Sequence, residues 1–168
     1  MTKWFALPIA ILTAHTVVAQ TDPWAKLRVL EGKWEGPTTG KPGKGITSRE
    51  YRFEMNGKFL SQRNKVVWEK AEIHEDFSYL SYDTRQKKIV WRQFHSEGFV
   101  HEYTLDSVSA DGKSLEFSSV RIENVPPGFR AKESYRMLSA DEIESTFWLA
   151  EPGKDFEVYT ETRLKRMK

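Results

Sequence analysis

The stretch VLEGKWEGPTTG, residues 29–40, sets a tryptophan two residues after a glycine, at the start of a short strand-like segment. The preceding segment opens on Asp22-Pro23, which is typical of a helix start: an N-cap followed by proline at the first helical position. Three large apolar residues then share one helical face: Trp24, Leu27 and Leu30. The sequence therefore predicts a helix of about two turns directly in front of the first strand.

After Gly32 the apolar period changes to two, as in Tyr51, Phe53 and Met55, and Asn56-Gly57 follows as a type I′ hairpin dipeptide. The pattern predicts about ten strands: GKWEG (32–36), SREYRFEM (48–55), KFLSQRNKVVW (58–68), IHEDFSYLSYD (73–83), KKIVWRQFH (87–95), GFVHEYTLD (98–106), KSLEFSSVRIE (113–123), RAKESYRML (130–138), IESTFWLA (143–150) and DFEVYTETRLKR (155–166).

The segments between these strands are short and rich in turn-forming residues, so consecutive strands are expected to pair antiparallel. A meander of ten strands loses its unpaired edges by closing, which predicts an all-β, up-and-down barrel. The segment 36–47, GPTTGKPGKGIT, departs from the phosphate-loop pattern because Ile46 stands where that pattern requires lysine. We expect it to form a mobile loop at the open end.

An opening helix, Gly32-Lys33-Trp34 and a ten-strand meander resemble the lipocalin superfamily, the calycins, in which a G-x-W motif marks the first strand. That resemblance implies that Trp34 seals the closed end and that a basic residue from the last strand lies across it. Arg166 is the candidate, because it shares its strand parity with Phe156, Val158 and Leu164.

Within that superfamily the stretch 80–98, LSYDTRQKKIVWRQFHSEG, looks like bacterial lipocalin-like domains of unknown function and, more distantly, nitrobindin-like haem barrels. The second resemblance implies a proximal histidine in the tenth strand. The segment 156–166, FEVYTETRLKR, contains no histidine. We therefore expect no cofactor and keep a haem-binding protein as an alternative.

The chain of 168 residues has the length of one domain. Its first 19 residues carry Lys3, an apolar run and a small-residue ending, which predict a secretory signal at 1–19 and a barrel domain at 20–168. The signal predicts a periplasmic or secreted protein with no stable membrane anchor after cleavage. Without Lys3, 25 basic and 24 acidic residues remain, a balance that argues against nucleic acid as a partner. There is no cysteine, which excludes disulfides and thiol chemistry.

Polar residues at inward parity among apolar ones indicate a binding lumen. We expect a small apolar or amphipathic ligand, with a carboxylate head on an arginine and the tail on an apolar wall. The candidate ligand-binding residues are Tyr51, Arg63, His101, Tyr103, Arg121, Arg130, Glu133 and Tyr135. Two alternatives stay open: Glu133 and an arginine that neutralise each other as a buried pair, or a filled barrel that acts through its outer surface.

Three histidines remain beyond the signal: His74, His95 and His101. No two of them have the two- or four-residue spacing that places ligands on one face, although His95 and His101 flank one turn and are able to meet across a hairpin. We predict structural histidines and no metal site. His101 and Glu133 are the acid–base candidates, but no nucleophile or cofactor motif accompanies them, so we predict that the protein is not an enzyme.

Overall fold

The computed structural model describes residues 22–70 and 72–168, so the predicted signal segment 1–19 lies outside the described residues. Ten antiparallel strands form a closed barrel in which sequence neighbours pair and the first strand pairs with the last. The predicted all-β barrel is confirmed. The strands are β1 (Gly32–Gly40), β2 (Gly43–Glu54), β3 (Phe59–Trp68), β4 (Ile73–Asp83), β5 (Lys88–His95), β6 (Val100–Val108), β7 (Ser114–Glu123), β8 (Arg130–Ser139), β9 (Glu142–Ala150) and β10 (Glu157–Arg166).

The expected two-turn helix is replaced by turns at 23–27 and a three-residue 3₁₀ helix, Arg28–Leu30. The apolar spacing explains the difference, because residues three apart eclipse one another at three residues per turn. Trp24, Leu27 and Leu30 are all buried at the base of the barrel. Asp22 still caps the segment, since its side chain accepts a hydrogen bond from the Trp24 amide at 3.0 Å. Among the described residues, no helix is long and apolar enough to cross a membrane.

The expected loop at 36–47 is wrong: these residues continue β1 and β2 as a paired hairpin that turns at Lys41-Pro42. Three of its four glycines, Gly36, Gly40 and Gly45, are required by close backbone approach. A Cβ on Gly36 would lie 1.9 Å from the Arg163 carbonyl oxygen, and one on Gly45 would lie 2.7 Å from the Val67 oxygen. The glycine-rich composition therefore marks a tightly packed strand pair rather than a mobile segment.

Trp34 and Arg166 meet at the closed end, where β1 begins and β10 ends. The Arg166 Cζ lies 4.1 Å from the Trp34 ring centroid. Its guanidinium also donates to the carbonyl oxygens of Glu31 (2.6 Å) and Val29 (2.8 Å), and Trp34 Nε1 donates to Leu30 O at 2.7 Å. These contacts tie the N-terminal turns, the first strand and the last strand into one base.

The expected inward parity of β10 holds for Leu164 but not for Val158, which is 43% exposed on the outer face. A register irregularity between Val158 and Thr160 in the β9–β10 pairing explains the difference. One extra residue at such a point moves every earlier side chain to the opposite face of the sheet.

The interior is arranged in three levels from the closed to the open end. The lowest is an apolar core that includes Leu60, Trp91, Tyr103 and Phe117. Polar side chains follow at mid-height, and apolar side chains return near the open end. Strand β3 contains the whole series, since its inward positions from the closed end are Leu60, Gln62, Asn64, Val66 and Trp68.

Candidate functional site

The upper half of the lumen contains a cavity of about 440 Å³. That volume lies in the range of small-molecule sites, which occupy roughly 300–1,000 Å³. The lower half is filled by side chains of the apolar core. Nine apolar side chains line the cavity: Pro42, Val66, Trp68, Phe99, Ile122, Val125, Phe129, Phe147 and Leu149. Val125 and Phe129 come from the β7–β8 loop, which therefore contributes to the mouth of the cavity.

Beneath the apolar wall the cavity is lined by polar side chains, which we call the polar belt: Arg49, Asn64, Asp76, Gln93, Glu133 and Thr162. These residues come from six different strands: β2, β3, β4, β5, β8 and β10. The alternation of each strand directs them into the lumen at similar height. The cavity is therefore amphipathic, with a polar base and an apolar mouth.

Arg49 is the cation of the polar belt. Its Nε donates to Asn64 Oδ1 at 2.8 Å, and its Nη1 donates to Ser145 Oγ at 3.0 Å. Burial alone would lower the pKa of Arg49, but electrostatic interactions with Tyr135, Tyr51, Glu133 and Asp76 outweigh burial and raise it above its usual value, so the guanidinium stays charged. No carboxylate of the described chain lies within 4.0 Å of it, so it is partly buried without an ion-pair partner.

Glu133 is the acid of the polar belt whose pKa lies near neutral pH. Burial raises its pKa to about 7, and the charge of Arg49 opposes that rise only in part. Glu133 Oε2 accepts a hydrogen bond from Tyr135 at 3.1 Å, and the hydroxyls of Tyr135 and Tyr51 lie 3.4 Å apart. Burial also raises the pKa of both tyrosines, so they remain neutral hydrogen-bonding groups.

A cluster of histidines and carboxylates lies on the wall formed by β4, β5 and the turn after β5. His74 and Asp76 share the inner face of β4, and Asp76 is the direct cross-strand partner of His95. The His74 Nε2 atom lies 3.5 Å from Asp76 Oδ2 and 3.4 Å from His95 Nδ1. His74 Nδ1 donates to Glu97 Oε1 at 2.7 Å. One atom from each of His74, Asp76 and His95 lies within 4.8 Å of the others.

The protonation states within this cluster differ. Burial would lower the pKa of His74, but the hydrogen bonds to Asp76 and Glu97 outweigh it and raise the pKa to about 9. Burial lowers the pKa of His95 to about 4. It lowers that of His101 to about 3, and the neighbouring His95 contributes to this shift. At neutral pH both are therefore uncharged imidazoles with a lone pair available.

Asp76 is the most enclosed acid of the cluster. Burial opposes its ionisation, but a hydrogen bond from His74 and the proximity of His95 hold the pKa below its usual value. Gln93 Nε2 donates to its Oδ1 at 3.1 Å, and Asn64 Nδ2 donates to its Oδ2 at 2.7 Å. The carboxylate is thus ionised and oriented from two sides.

The residues predicted from the sequence divide into two groups. Tyr51, His101, Tyr103, Glu133 and Tyr135 lie in the interior, but only His101 and Glu133 line the cavity, since the three tyrosines belong to the core beneath it.

The three predicted arginines, in contrast, do not line the cavity. Arg63 and Arg121 are wrong as lumen residues, since Arg63 lies outside over Phe77 and Arg121 pairs with Glu123 on the surface. Arg130, a predicted ligand contact at the start of β8, is exposed and lies over Phe156.

Sequence reasoning missed Arg49, Asp76 and the participation of His74. Arg49 has the same parity as Tyr51 and Phe53 in the clearest alternating segment, so the signal was present. The spacing between histidines does not indicate a site at His74. The informative pattern is His-x-Asp, which places His74 and Asp76 on one face of a strand. The predicted approach of His95 and His101 is present, with ring centroids 4.7 Å apart.

Comparison with known proteins yields similarity of fold. No family model matches the chain, and no curated protein does. The chain is similar to the crystal structure of Rv2717c from M. tuberculosis, with a TM-score of 0.67 and 16% identity over 87% of this chain and 98% of that one. More remote similarities are a de novo designed fluorescence-activating β-barrel (TM-score 0.42, 14% identity, 82% and 93% covered) and a DUF3598 protein of unknown function from Nostoc punctiforme (TM-score 0.25, 9% identity, 88% and 100% covered). At these identities the match to Rv2717c describes the barrel alone.

Proposed function

We propose that this protein is an exported, lipocalin-like barrel that holds a small amphipathic carboxylate in its upper cavity without converting it chemically. The observation that supports this most directly is Arg49, a cation facing the cavity with no carboxylate within 4.0 Å in the described chain. A guanidinium in such a place is costly unless an anion neutralises it. A ligand carboxylate offers the matching bidentate acceptor.

The apolar mouth suits the other end of such a molecule. Phe147, Leu149 and Ile122 lie on the open side of the polar belt, so a tail leaving the carboxylate would contact them. Burying that tail contributes about 25 cal/mol for each Å² of apolar surface removed from water. The head would supply orientation and the tail would supply most of the affinity.

The competing idea, that Glu133 neutralises the arginine, has less support. The Glu133 carboxylate is engaged by the Tyr135 hydroxyl, and no Arg49–Glu133 contact within 4.0 Å occurs among the residues described. Because burial raises the pKa of Glu133 to about 7, this acid is partly protonated at neutral pH and compensates Arg49 incompletely.

Binding of decanoate and decanol tests the proposal, because these probes share a tail and differ in the head. We expect Arg49→Gln to weaken decanoate binding by about tenfold or more, since a charge-assisted bond contributes roughly 1.5–3 kcal/mol. Decanol binding should change little. Arg63→Gln is the matched control, since Arg63 lies on the outer face of the neighbouring strand. Equal decanoate affinity in wild type and Arg49→Gln, measured by calorimetry with EDTA present, would exclude the proposed head-group site.

The haem alternative requires an axial ligand from the cavity wall. The β10 residues that line it are Tyr159, Thr160 and Thr162, so an axial imidazole would have to come from His74, His95 or His101. Hemin titration tests this directly. A stoichiometric Soret band that is lost in His101→Ala or His95→Ala would favour haem over the carboxylate.

A further inference from the structure

We propose that His74, Asp76 and His95 form a binding site for a divalent zinc-like metal ion on the wall of the cavity. Imidazole nitrogen and carboxylate oxygen are both zinc ligands. The three side chains come from two adjacent strands, with His74 and Asp76 two residues apart on β4 and His95 opposite Asp76 on β5. Because strand pairing fixes these positions, the ligand set is held by the sheet rather than by a flexible loop.

Two of the three separations between the ligating atoms match a tetrahedral ion. Zinc–nitrogen and zinc–oxygen bonds of about 2.0–2.1 Å require neighbouring ligand atoms to lie about 3.3–3.4 Å apart. His74 Nε2 lies 3.4 Å from His95 Nδ1 and 3.5 Å from Asp76 Oδ2. The third separation, between Asp76 and His95, is at most 4.8 Å, so one ion fits once these two side chains close on it.

The neighbouring hydrogen bonds have the pattern that orients metal ligands. A ligating histidine usually donates its other ring N–H to a carboxylate or carbonyl, which fixes the tautomer. Glu97 accepts from His74 Nδ1, which leaves Nε2 directed at Asp76 and His95. Zinc binding would displace the proton from His74 Nε2 into solvent. Gln93 and Asn64 orient the Asp76 carboxylate. Glu97 is thus a positioning residue, and Gln93 and Asn64 support the ligand itself.

Hydrogen bonding within the described chain accounts for only one nitrogen of His95. Its Nδ1 lies 3.4 Å from His74 Nε2, and its Nε2 is buried without a partner there. A buried polar atom without a partner is costly, so an imidazole placed only for packing would be better replaced by an apolar ring. Metal ligation through Nδ1, the nitrogen that faces His74, gives the imidazole a role that packing does not, while Nε2 is not itself a ligand.

Three protein ligands leave one tetrahedral position for water or a bound molecule, as in open zinc sites. All three side chains line the cavity. The metal ligands are on β4 and β5 and Arg49 is on β2, and Asn64 on β3 is hydrogen-bonded to both Arg49 and Asp76. The two proposals are tested separately, because decanoate binding is measured in EDTA and zinc binding is measured without decanoate.

The test titrates the EDTA-treated protein with Zn²⁺ at pH 7.5 against a chromophoric chelator. We expect one equivalent to bind. Asp76→Asn and His95→Phe should each weaken the affinity by about a hundredfold or more, at least as much as losing an outer-shell partner. Glu75→Gln is the matched control, because Glu75 is an exposed acid between His74 and Asp76 on the same strand. It should retain zinc binding.

His95→Phe separates folding from metal binding. Because His95 Nε2 lacks a partner in the described chain, the metal-free variant should melt at or above the temperature of metal-free wild type. Co²⁺ gives a second readout, since a four-coordinate site produces intense visible absorption that should be absent from His95→Phe. Absence of one-equivalent Zn²⁺ binding by wild type, or equal binding by wild type and His95→Phe, would overturn the proposal.

Discussion

Arg166 couples the last strand to the first at a single tryptophan. Trp34→Ala removes a buried ring on which the guanidinium lies, and we expect a loss of roughly 3–5 kcal/mol in the free energy of unfolding. Because the two side chains are in contact, Arg166→Ala should be non-additive with it by about 0.5–3 kcal/mol. Urea denaturation of both single variants and the double variant measures that coupling.

Arg166→Lys is the informative control for this pair. Lysine keeps the charge but loses the planar fork that donates to Glu31 and Val29, so it should recover only part of the lost stability. Strictly additive losses in Trp34→Ala and Arg166→Ala would show that the stacked contact contributes nothing of its own.

Glu133 predicts a pH dependence of stability. Its pKa is raised from 4.5 to about 7 on folding, so between those values the folded state holds more protons than the unfolded chain. The contribution of Glu133 to the free energy of unfolding therefore falls as pH rises, by up to about 1.4 kcal/mol per unit. Glu133→Gln keeps an acceptor for Tyr135 and should remove this fall. The free energy of unfolding of the variant should therefore rise relative to that of wild type between pH 5 and pH 8.

Denaturant unfolding at the two pH values provides the measurement, and Glu161→Gln, at an exposed position on β10, provides the control. Wild type and variant contain the same histidines, so the effect of histidine titration on stability cancels in the difference between their free energies of unfolding. If the difference in free energy of unfolding between wild type and Glu133→Gln were the same at pH 5 and pH 8, the raised pKa of Glu133 would be contradicted.

Single residues were predictable where one parity dominated the strand. Ala131, Glu133, Tyr135 and Met137 alternate cleanly in β8, and all four are buried as predicted. In β3 both parities mix polar and apolar residues, and the sequence favoured Arg63 although Gln62 and Asn64 are the inward polar residues. An arginine covers apolar surface from outside as readily as it enters a lumen, as Arg63 does over Phe77.

The β1–β2 hairpin is the element that most depends on the absence of side chains. Gly36→Ala would place a Cβ against the Arg163 backbone, which cannot move without disturbing β10. We expect a loss of about 1–3 kcal/mol, the usual range for overpacking. Thermal melting compares it with Thr39→Ala, an exposed position on the same strand that should stay within about 0.5 kcal/mol of wild type. Equal melting temperatures for the two variants would contradict the close approach.

The number and order of the strands were predictable because short turns and a two-residue period specify local pairing. Irregularities within strands were not. The shifts near Val158 on β10 and at two points on β6 depend on how neighbouring strands fit around the closed barrel, which local sequence does not encode. The proximity of Arg49 and Asp76 was not predictable either, because it depends on the register of two successive strand pairs, in which Asn64 lies opposite both residues.

At the scale of the whole molecule, the prediction of export concerns the segment before the barrel. Intact-mass analysis of the protein recovered from its native host should give a chain that begins at Gln20, in the periplasmic or extracellular fraction. The same native spectrum reveals any retained ligand or metal as added mass. A chain that retains Met1 and remains in the cytosol would contradict export.

The pairing of β1 with β10 also constrains how the chain reaches its native state. Trp34 and Arg166 are cross-strand partners, so the barrel cannot close until almost the whole domain has been synthesised. Until then β1 and β9 both expose unpaired edges, the kind of surface on which chains associate wrongly. Because closure requires contacts so distant in sequence, it should be a late and slow step. The edges of β1 and β9 are both covered only when β10 pairs with them.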